Sequence, residues 1–426
     1  MSLADRPGIA ASFVAARRNL AIADRATLIA RQETLLDRLR RKTLPASPYF
    51  AEYRDRPFDD WPVIDKSVWM ANFDRINTVG LRRGEALAVA ERAERERDFA
   101  PTLRGITVGL STGTSGQRGL FLVSPGERRQ WAGVVLAALL RGNSFAPRKV
   151  AFLLRANSNL YRTAATGPVR LRYFDMLQPW PSLVGSLRAF RPDVLIGPAG
   201  TLALLAREGG LAPRQVVSVA ETLHDDDAAR IHGAFGVLPE QVYQATEGVL
   251  ALPCRMGRLH LNEAYMRIET DWIDRPSRRF APIVTDLCRH TQPVLRYRLD
   301  DIVMLDDEPC PCGTASRVVQ RIEGRCDDIC RFLTPDGATV PVFPDFLTRT
   351  VMASTPDLVD YQIRQTRPGA LVLVLPSGAT PPPTIGSALF DLAGRLGAVP
   401  PDLAFEHGLE HAAKRRRVVC VKSDQP

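Results

Sequence analysis

Three groups of residues in this sequence have types and spacing suited to chemistry. The first is STGTSGQRG, residues 111–119, inside the longer run VGLSTGTSGQRGLFLVSPGER. The hydroxyls of Ser111, Thr112, Thr114 and Ser115 are interleaved there with Gly113 and Gly116, and one cation, Arg118, follows. Glycine lets the backbone close on an anion, exposed N–H groups form a nest for phosphate oxygens, and hydroxyls add donors. A Walker loop would need GxxxxGK[ST] opening straight into a helix. Here no lysine follows and GLFLVS continues as a strand, so the stretch reads as a glycine-rich hairpin for phosphate. The second group is a pair of carboxylates, Glu221 and Glu247, each at the end of a strand-like run. The third is Cys254-x5-His260 followed, after 49 intervening residues, by Cys310-x-Cys312. Three thiolates and one imidazole make a closed tetrahedral set suited to structural Zn²⁺, and CPCG is a tight, glycine-ended turn of the kind such sites use. Cys288, Cys326 and Cys330 are secondary candidates that read better as buried small residues.

The elements that must position these groups follow from hydrophobic periodicity and punctuation. Residues 1–95 read as mostly helical and charged, with a proline-spaced connector, SPYFAEYRDRPFDDWPVIDK. From about residue 103 strands and helices alternate: RGITVGLS, KVAFLLRA, VRLRYFDML, DVLIGP, QVVSVAE and QVYQAT as strands, with SLVGSLRAF, AGTLALLARE and DDDAARIHGAF as helices. The helix SPGERRQWAGVVLAALLR opens with Ser124 as N-cap, Pro125 at the first position and Glu127 at the third, a capping-box pattern. Alternation of this kind predicts parallel strands with helical crossovers, and in such sheets ligands sit beyond the carboxyl ends of the strands. After residue 250, RLHLNEAYMRIE, APIVTDL, QPVLRYRLDDIVML and SRVVQRIE read as antiparallel strands. From about residue 327 turns, strands and one good helix, IGSALFDLAGRLGA, predict a small separate α+β domain. The fold class expected is therefore α/β: a large multi-sheet N-terminal domain over 1–326 with parallel βα units, and a small α+β domain over 327–426.

The totals exclude several classes. The chain has 426 residues and a net charge of +9, with five lysines among 56 basic residues. The arginines are spread along the chain beside acids, and only KRRR at 414–417 is a cluster, so no nucleic-acid partner is expected, while an anionic ligand suits the balance. There is no apolar run of about 18 residues and no secretory pattern at the start, so no membrane partner is expected. Seven cysteines, an odd number, predict the reducing cytoplasm rather than a disulfide framework.

Five stretches, in order, resemble the motifs of the adenylate-forming (ANL) superfamily of acyl-CoA synthetases, peptide-synthetase adenylation domains and luciferases. STGTSGQRG resembles its phosphate loop and SVAETL, 218–223, its glutamate-bearing strand-end motif. YQATEG, 243–248, resembles aromatic-x-x-Thr-Glu; YRLDD, 297–301, resembles Tyr-Arg-x-x-Asp; and GRCDD, 324–328, resembles its Gly-Arg-x-Asp hinge. The resemblance covers about residues 45–426 and is nearest to the phenylacetate-CoA ligase branch, which includes deazaflavin-adenylating synthetases. It implies adenylation of a small-molecule carboxylate by ATP with Mg²⁺, then transfer to coenzyme A or the pantetheine of an acyl carrier protein. The alternatives are nucleotidyl transfer to a phenol-like hydroxyl and a non-catalytic nucleotide-binding relic. Carried over by position, Thr112, Thr114 and Ser115 would hold the β- and γ-phosphates and Thr246 the α-phosphate. Glu247 would bind Mg²⁺, Asp301 the ribose hydroxyls, and Arg325 ribose or phosphate, with Glu221 and Tyr243 in the same nucleotide site. Asp327 would be the pivot of a mobile small domain, and Lys414 the lysine that swings in for adenylation. The sequence departs from the pattern at Arg118, where relatives often have lysine, at Val219 and Ala220, and at Ala413, where they have glycine.

Overall fold

The computed structural model describes residues 6–96, 101–110, 119–140, 147–154, 169–176, 178–355, 358, 360–409 and 416–421. The expected phosphate-loop residues Ser111, Thr112, Gly113, Thr114, Ser115, Gly116 and Arg118, and the expected lysine Lys414, lie outside the described residues. The chain divides into two compact units. One comprises residues 1–272, 282–299 and 305–320; the other comprises 273–281, 300–304 and 321–426.

In the first unit, five strands form a wholly parallel sheet in the order Val169–Asp175, Arg148–Leu154, Val194–Gly197, Gln215–Ser218, Glu240–Gln241. The helices Trp180–Phe190, Ala199–Glu208 and Asp225–Phe235 are the crossovers. Near-continuous aliphatic runs explain the arrangement, because a strand covered on both faces has no polar side. Leu153, Leu195 and Val216 of the strands pack with Leu183, Leu187, Leu202, Leu205 and Ile231 of the helices, all buried. Cutting one of these leucines to alanine removes about 2–5 kcal/mol.

A second, antiparallel sheet joins Thr102–Leu103, Ile106–Leu110 and Leu120–Val123. Its last two strands are the arms flanking the glycine-rich stretch, in a register that pairs Leu110 with Leu120 and Gly109 with Phe121. Gly109 is required there: a Cβ would stand 2.2 Å from the Phe121 ring. The returning arm feeds the helix Pro125–Leu139, whose capping box at Ser124 and Glu127 is formed. This helix packs on Arg6–Asn19 at Gly133, where a Cβ would come within 2.5 Å of Ser12 Cβ.

Beyond the parallel sheet the chain corrects one sequence expectation. QVYQAT, expected as a single strand, is two. Glu240–Gln241 closes the parallel sheet, whereas Tyr243–Ala245 pairs antiparallel with Gly248–Pro253. Val242 is the crossing point, its N–H still held by Ser218 O at 3.0 Å. The change of sheet coincides with a break in alternation: Val242 and Tyr243 are both buried, between the half-buried Gln241 and Gln244. Gly248–Pro253 then pairs with Leu259–Leu261, which pairs with residues 318–319.

The second unit has its own core. A four-stranded mixed sheet, ordered Asp402–His407, Ala370–Leu375, Gln362–Arg367, Val418–Cys420, carries the helices Pro344–Ser354 and Ile385–Arg395. Leu347, Val351, Ile363, Leu371, Leu373, Leu389 and Val418 meet in its interior. The architecture is thus α/β, with parallel βα units in the larger unit and a smaller α+β unit, as the sequence pattern predicts.

Candidate active site and a cysteine–histidine centre

Thr246 and Glu247 form the turn between Tyr243–Ala245 and Gly248–Pro253. The turn depends on Gly248, whose φ of 151° disfavours any side chain, and where a Cβ would meet Asp286 Oδ2 and Met266 Cε at 3.2 Å. Glu247 is 7% exposed and Tyr243 is buried in its strand. The Thr246 carbonyl accepts a hydrogen bond from Arg289 Nη1 at 2.7 Å. Glu221 lies past the end of Gln215–Ser218, and its carboxylate accepts the Gly200 N–H at 3.0 Å, at the start of Ala199–Glu208. A carboxylate at a helix N-terminus satisfies an orphan donor and complements the dipole, which gives Glu221 a structural task in this state. Its neighbour Ala220 holds φ at 66°, a conformation that costs an L-residue about 1–2 kcal/mol, so the motif carries backbone strain.

Three residues around this turn have no motif in the sequence, Asp286, Arg289 and Gln292, and a fourth, Glu127, was expected only as the capping-box residue of its helix. Glu127 Oε1 accepts the N–H groups of His290 and Thr291 at 2.6 and 2.8 Å, while Oε2 accepts Ser124 N at 2.7 Å and Oγ at 2.8 Å. Burial opposes its charge, but the hydrogen bonds from Thr291 and Ser124 outweigh that and hold its carboxyl below the usual range. Gln292 Oε1 accepts Leu122 N at 2.8 Å on the hairpin's returning arm. Asp286 is half-buried as a residue but its carboxyl is enclosed, and burial pushes it up to about 6 despite the Cys288 N–H and the nearby Arg289. The signal available in the sequence is TDLCRHTQP, a polar run set between two strand-like stretches.

In the second unit, Asp301 opens the strand Asp301–Leu305 and Arg325 ends Val318–Arg325. The two segments are tied together by Cys326 N donating to Asp300 O at 2.6 Å. Asp327 is exposed in the single turn Cys326–Asp328, and Asp328 beside it is buried and ion-paired with Arg416. Burial raises the Asp328 carboxyl above its usual range, with Arg416 opposing.

The cysteine–histidine residues converge. One ligand atom from each of Cys254, His260, Cys310 and Cys312 lies within 4.8 Å of all the others. Cys254 and Cys310 sulfurs are 3.7 Å apart, and Cys312 Sγ is 3.6 Å from His260 Nε2. Metal–sulfur bonds of about 2.3 Å give a tetrahedron with edges of about 3.8 Å, so these separations fit one central ion. His260 Nδ1 lies 2.9 Å from the Ser316 carbonyl. A carbonyl only accepts, so Nδ1 carries the proton and Nε2 faces the sulfurs with its lone pair, the orientation a metal ligand needs. Gly257 and Gly313, with φ of 82° and 79°, close the turns after Cys254 and Cys310. Without a cation, burial pushes the Cys312 thiol up to about 12. Cys288, Cys326 and Cys330 are outside the cluster; Cys330 instead faces Cys420, sulfur to sulfur, at 3.4 Å.

No protein-family model and no curated protein matches the chain. Solved structures do. A 2-hydroxyisobutyryl-CoA ligase in the postadenylation state with R3-HIB-AMP has a TM-score of 0.71 at 16% identity, over 95% of this chain and 92% of its own. The anthranilate CoA ligase AuaEII, in complex with anthranoyl-AMP, has a TM-score of 0.53 at 11% identity, over 74% of this chain and 66% of its own. The amide bond synthetase McbA from Marinactinospora thermotolerans has a TM-score of 0.51 at 15% identity, over 74% of this chain and 68% of its own. The chain has the fold of these ligases.

Proposed function

We propose that the chain is an ATP-dependent acid–thiol ligase that forms an acyl-AMP and passes the acyl group to coenzyme A. The observation that carries this reading is the likeness, over 95% of the chain, to a ligase crystallised with its acyl adenylate. The ordered motifs supply the residues. A carboxylate oxygen of the substrate attacks the α-phosphorus, the bond to the bridging oxygen breaks, and pyrophosphate leaves with the electron pair. The thiol sulfur then attacks the acyl carbonyl and AMP departs, the thiol proton passing to solvent. No protein nucleophile is required; positioning and charge neutralisation lower the barrier.

Thr112, Thr114 and Ser115 donate to the β- and γ-phosphates, with Ser111, Gly113, Gly116 and Arg118 completing the loop, and Thr246 contacts the α-phosphate. Asp301 accepts from the ribose hydroxyls, and Arg325 reaches ribose or phosphate. Lys414 sets its ammonium between the carboxylate and the α-phosphate, offsetting the repulsion of two anions. Asp327 is the pivot about which the small domain, 327–426, turns between half-reactions. The buried carboxylate of Glu247 suits Mg²⁺, which when bound neutralises phosphate charge. Cys254, His260, Cys310 and Cys312 hold a structural Zn²⁺, a thiolate-rich centre at home in the reducing cytoplasm. Motif spacing favours the phenylacetate-CoA ligase branch.

The experiment is a product analysis. The protein is incubated with ATP, Mg²⁺ and a panel of small acids, with and without coenzyme A. Acyl-CoA and AMP, appearing only when both acid and thiol are present, are the expected products. A stable adenylated phenol formed without thiol would replace this reading with nucleotidyl transfer.

A further inference from the structure

Arg289 is 6% exposed, and no carboxylate pairs with it within 4.0 Å among the described residues. A buried guanidinium is costly to desolvate, and its placement here is met by carbonyls. Nη1 donates to Thr246 O at 2.7 Å, and Nη2 lies 3.4 Å from both Leu122 O and Gln292 Oε1. Thr246 is the residue before Glu247. Leu122 is in the middle of the arm by which the chain leaves the glycine-rich loop. One side chain therefore holds two motifs that are far apart in sequence. Gln292 grips the same residue of the arm, accepting from Leu122 N at 2.8 Å. The segment bearing both residues is itself anchored by Glu127, through the N–H groups of His290 and Thr291. The Trp69 ring lies 6.0 Å from its guanidinium carbon, at the outer reach of a cation–π contact.

We infer that Arg289 is a positioning residue for nucleotide: it sets the Thr246–Glu247 peptide at a fixed distance from the returning arm of the phosphate hairpin. This rests on the adenylation reading. Arg289 acts through the Thr246 carbonyl and the Leu122 carbonyl, and touches no substrate atom in this role. The fork matters as well as the charge, because two carbonyls are held from two nitrogens, a geometry that a lysine point charge does not reproduce.

The test compares wild type with Arg289→Gln and Arg289→Lys. Calorimetry reads ATP binding with Mg²⁺ and with EDTA, and thermal unfolding is recorded on the same samples. The expected result is a loss of Mg·ATP affinity of at least about tenfold in Arg289→Gln, the weight of one well-placed charged hydrogen bond. Arg289→Lys recovers part of this, and metal-free ATP binding changes less than Mg·ATP binding in both. If Arg289→Gln does not fold, Arg289→Lys, which keeps a buried cation and one donor, decides by the same comparison. A lower melting temperature with wild-type Mg·ATP affinity would make Arg289 a structural residue and overturn the inference, leaving the adenylation reading in place. Absence of nucleotide binding in the folded wild type would overturn both.

Discussion

At the scale of single residues, Glu247 carries the most weight. It is 7% exposed, and no arginine pairs with it among the described residues. The turn that presents it is fixed on one side by Gly248 and on the other by Arg289. A structural carboxylate here would be replaceable by its amide at small cost. A metal-binding one would not, because the amide is isosteric but uncharged. Glu247→Gln is therefore expected to cut adenylation by at least about 100-fold, the scale of removing a principal electrostatic element, with its thermal melt unchanged. Near-wild-type turnover in the folded variant would remove the role. Glu247 was legible in the sequence because TEG closes a recognisable motif. Arg289 was not, and Glu127 was legible as a helix cap but not as the anchor of His290 and Thr291. Their partners lie 43 and 163 residues away, and no local pattern encodes a hydrogen bond to a distant backbone.

At the scale of elements, the cysteine–histidine centre joins three separate pieces of chain. Cys254 follows Gly248–Pro253, His260 sits in Leu259–Leu261, and Cys310 and Cys312 come from the turn at 310–313. Gly248–Pro253 is the strand that begins immediately after Glu247, so the four residues converge at the far end of the element that carries this carboxylate. Because ligand binding to a structural ion is folding free energy, metal should be stoichiometric. Elemental analysis is expected to give about one zinc per chain, the number one four-ligand site holds. Cys312→Ser should lower both zinc content and melting temperature, whereas Cys330→Ser, outside the cluster, should leave the zinc content unchanged. A metal-free preparation that melts like the metal-loaded one would refute the assignment. This centre was readable because cysteine and histidine are scarce in the chain and fall in two close pairs. The split of QVYQAT was not read from the sequence: its one local signal is the adjacent apolar pair Val242 and Tyr243, and the partners that define the two sheets lie elsewhere in the chain.

At the scale of the whole molecule, the alternation of strands and helices between residues 148 and 241 was enough to predict the parallel sheet, and the capping box at Ser124 to place its neighbouring helix. The sequence texture changes at about residue 327, whereas the second compact unit comprises 273–281, 300–304 and 321–426, the first two segments joining it through contacts rather than through sequence continuity. The chain has the fold of a ligase solved with its acyl adenylate, and ordered motifs occur in each unit: Thr246 and Glu247 in the first, Asp301, Arg325 and Asp327 in the second. The central claim is that this chain activates a carboxylate with ATP. Its most direct test is acid-dependent exchange of labelled pyrophosphate into ATP, measured across a broad panel of small aliphatic and aromatic acids. Exchange that appears with a subset of the acids, requires Mg²⁺ and is lost in Glu247→Gln is the predicted result. A folded, ATP-binding protein that gives no exchange with any acid in the panel would contradict the claim.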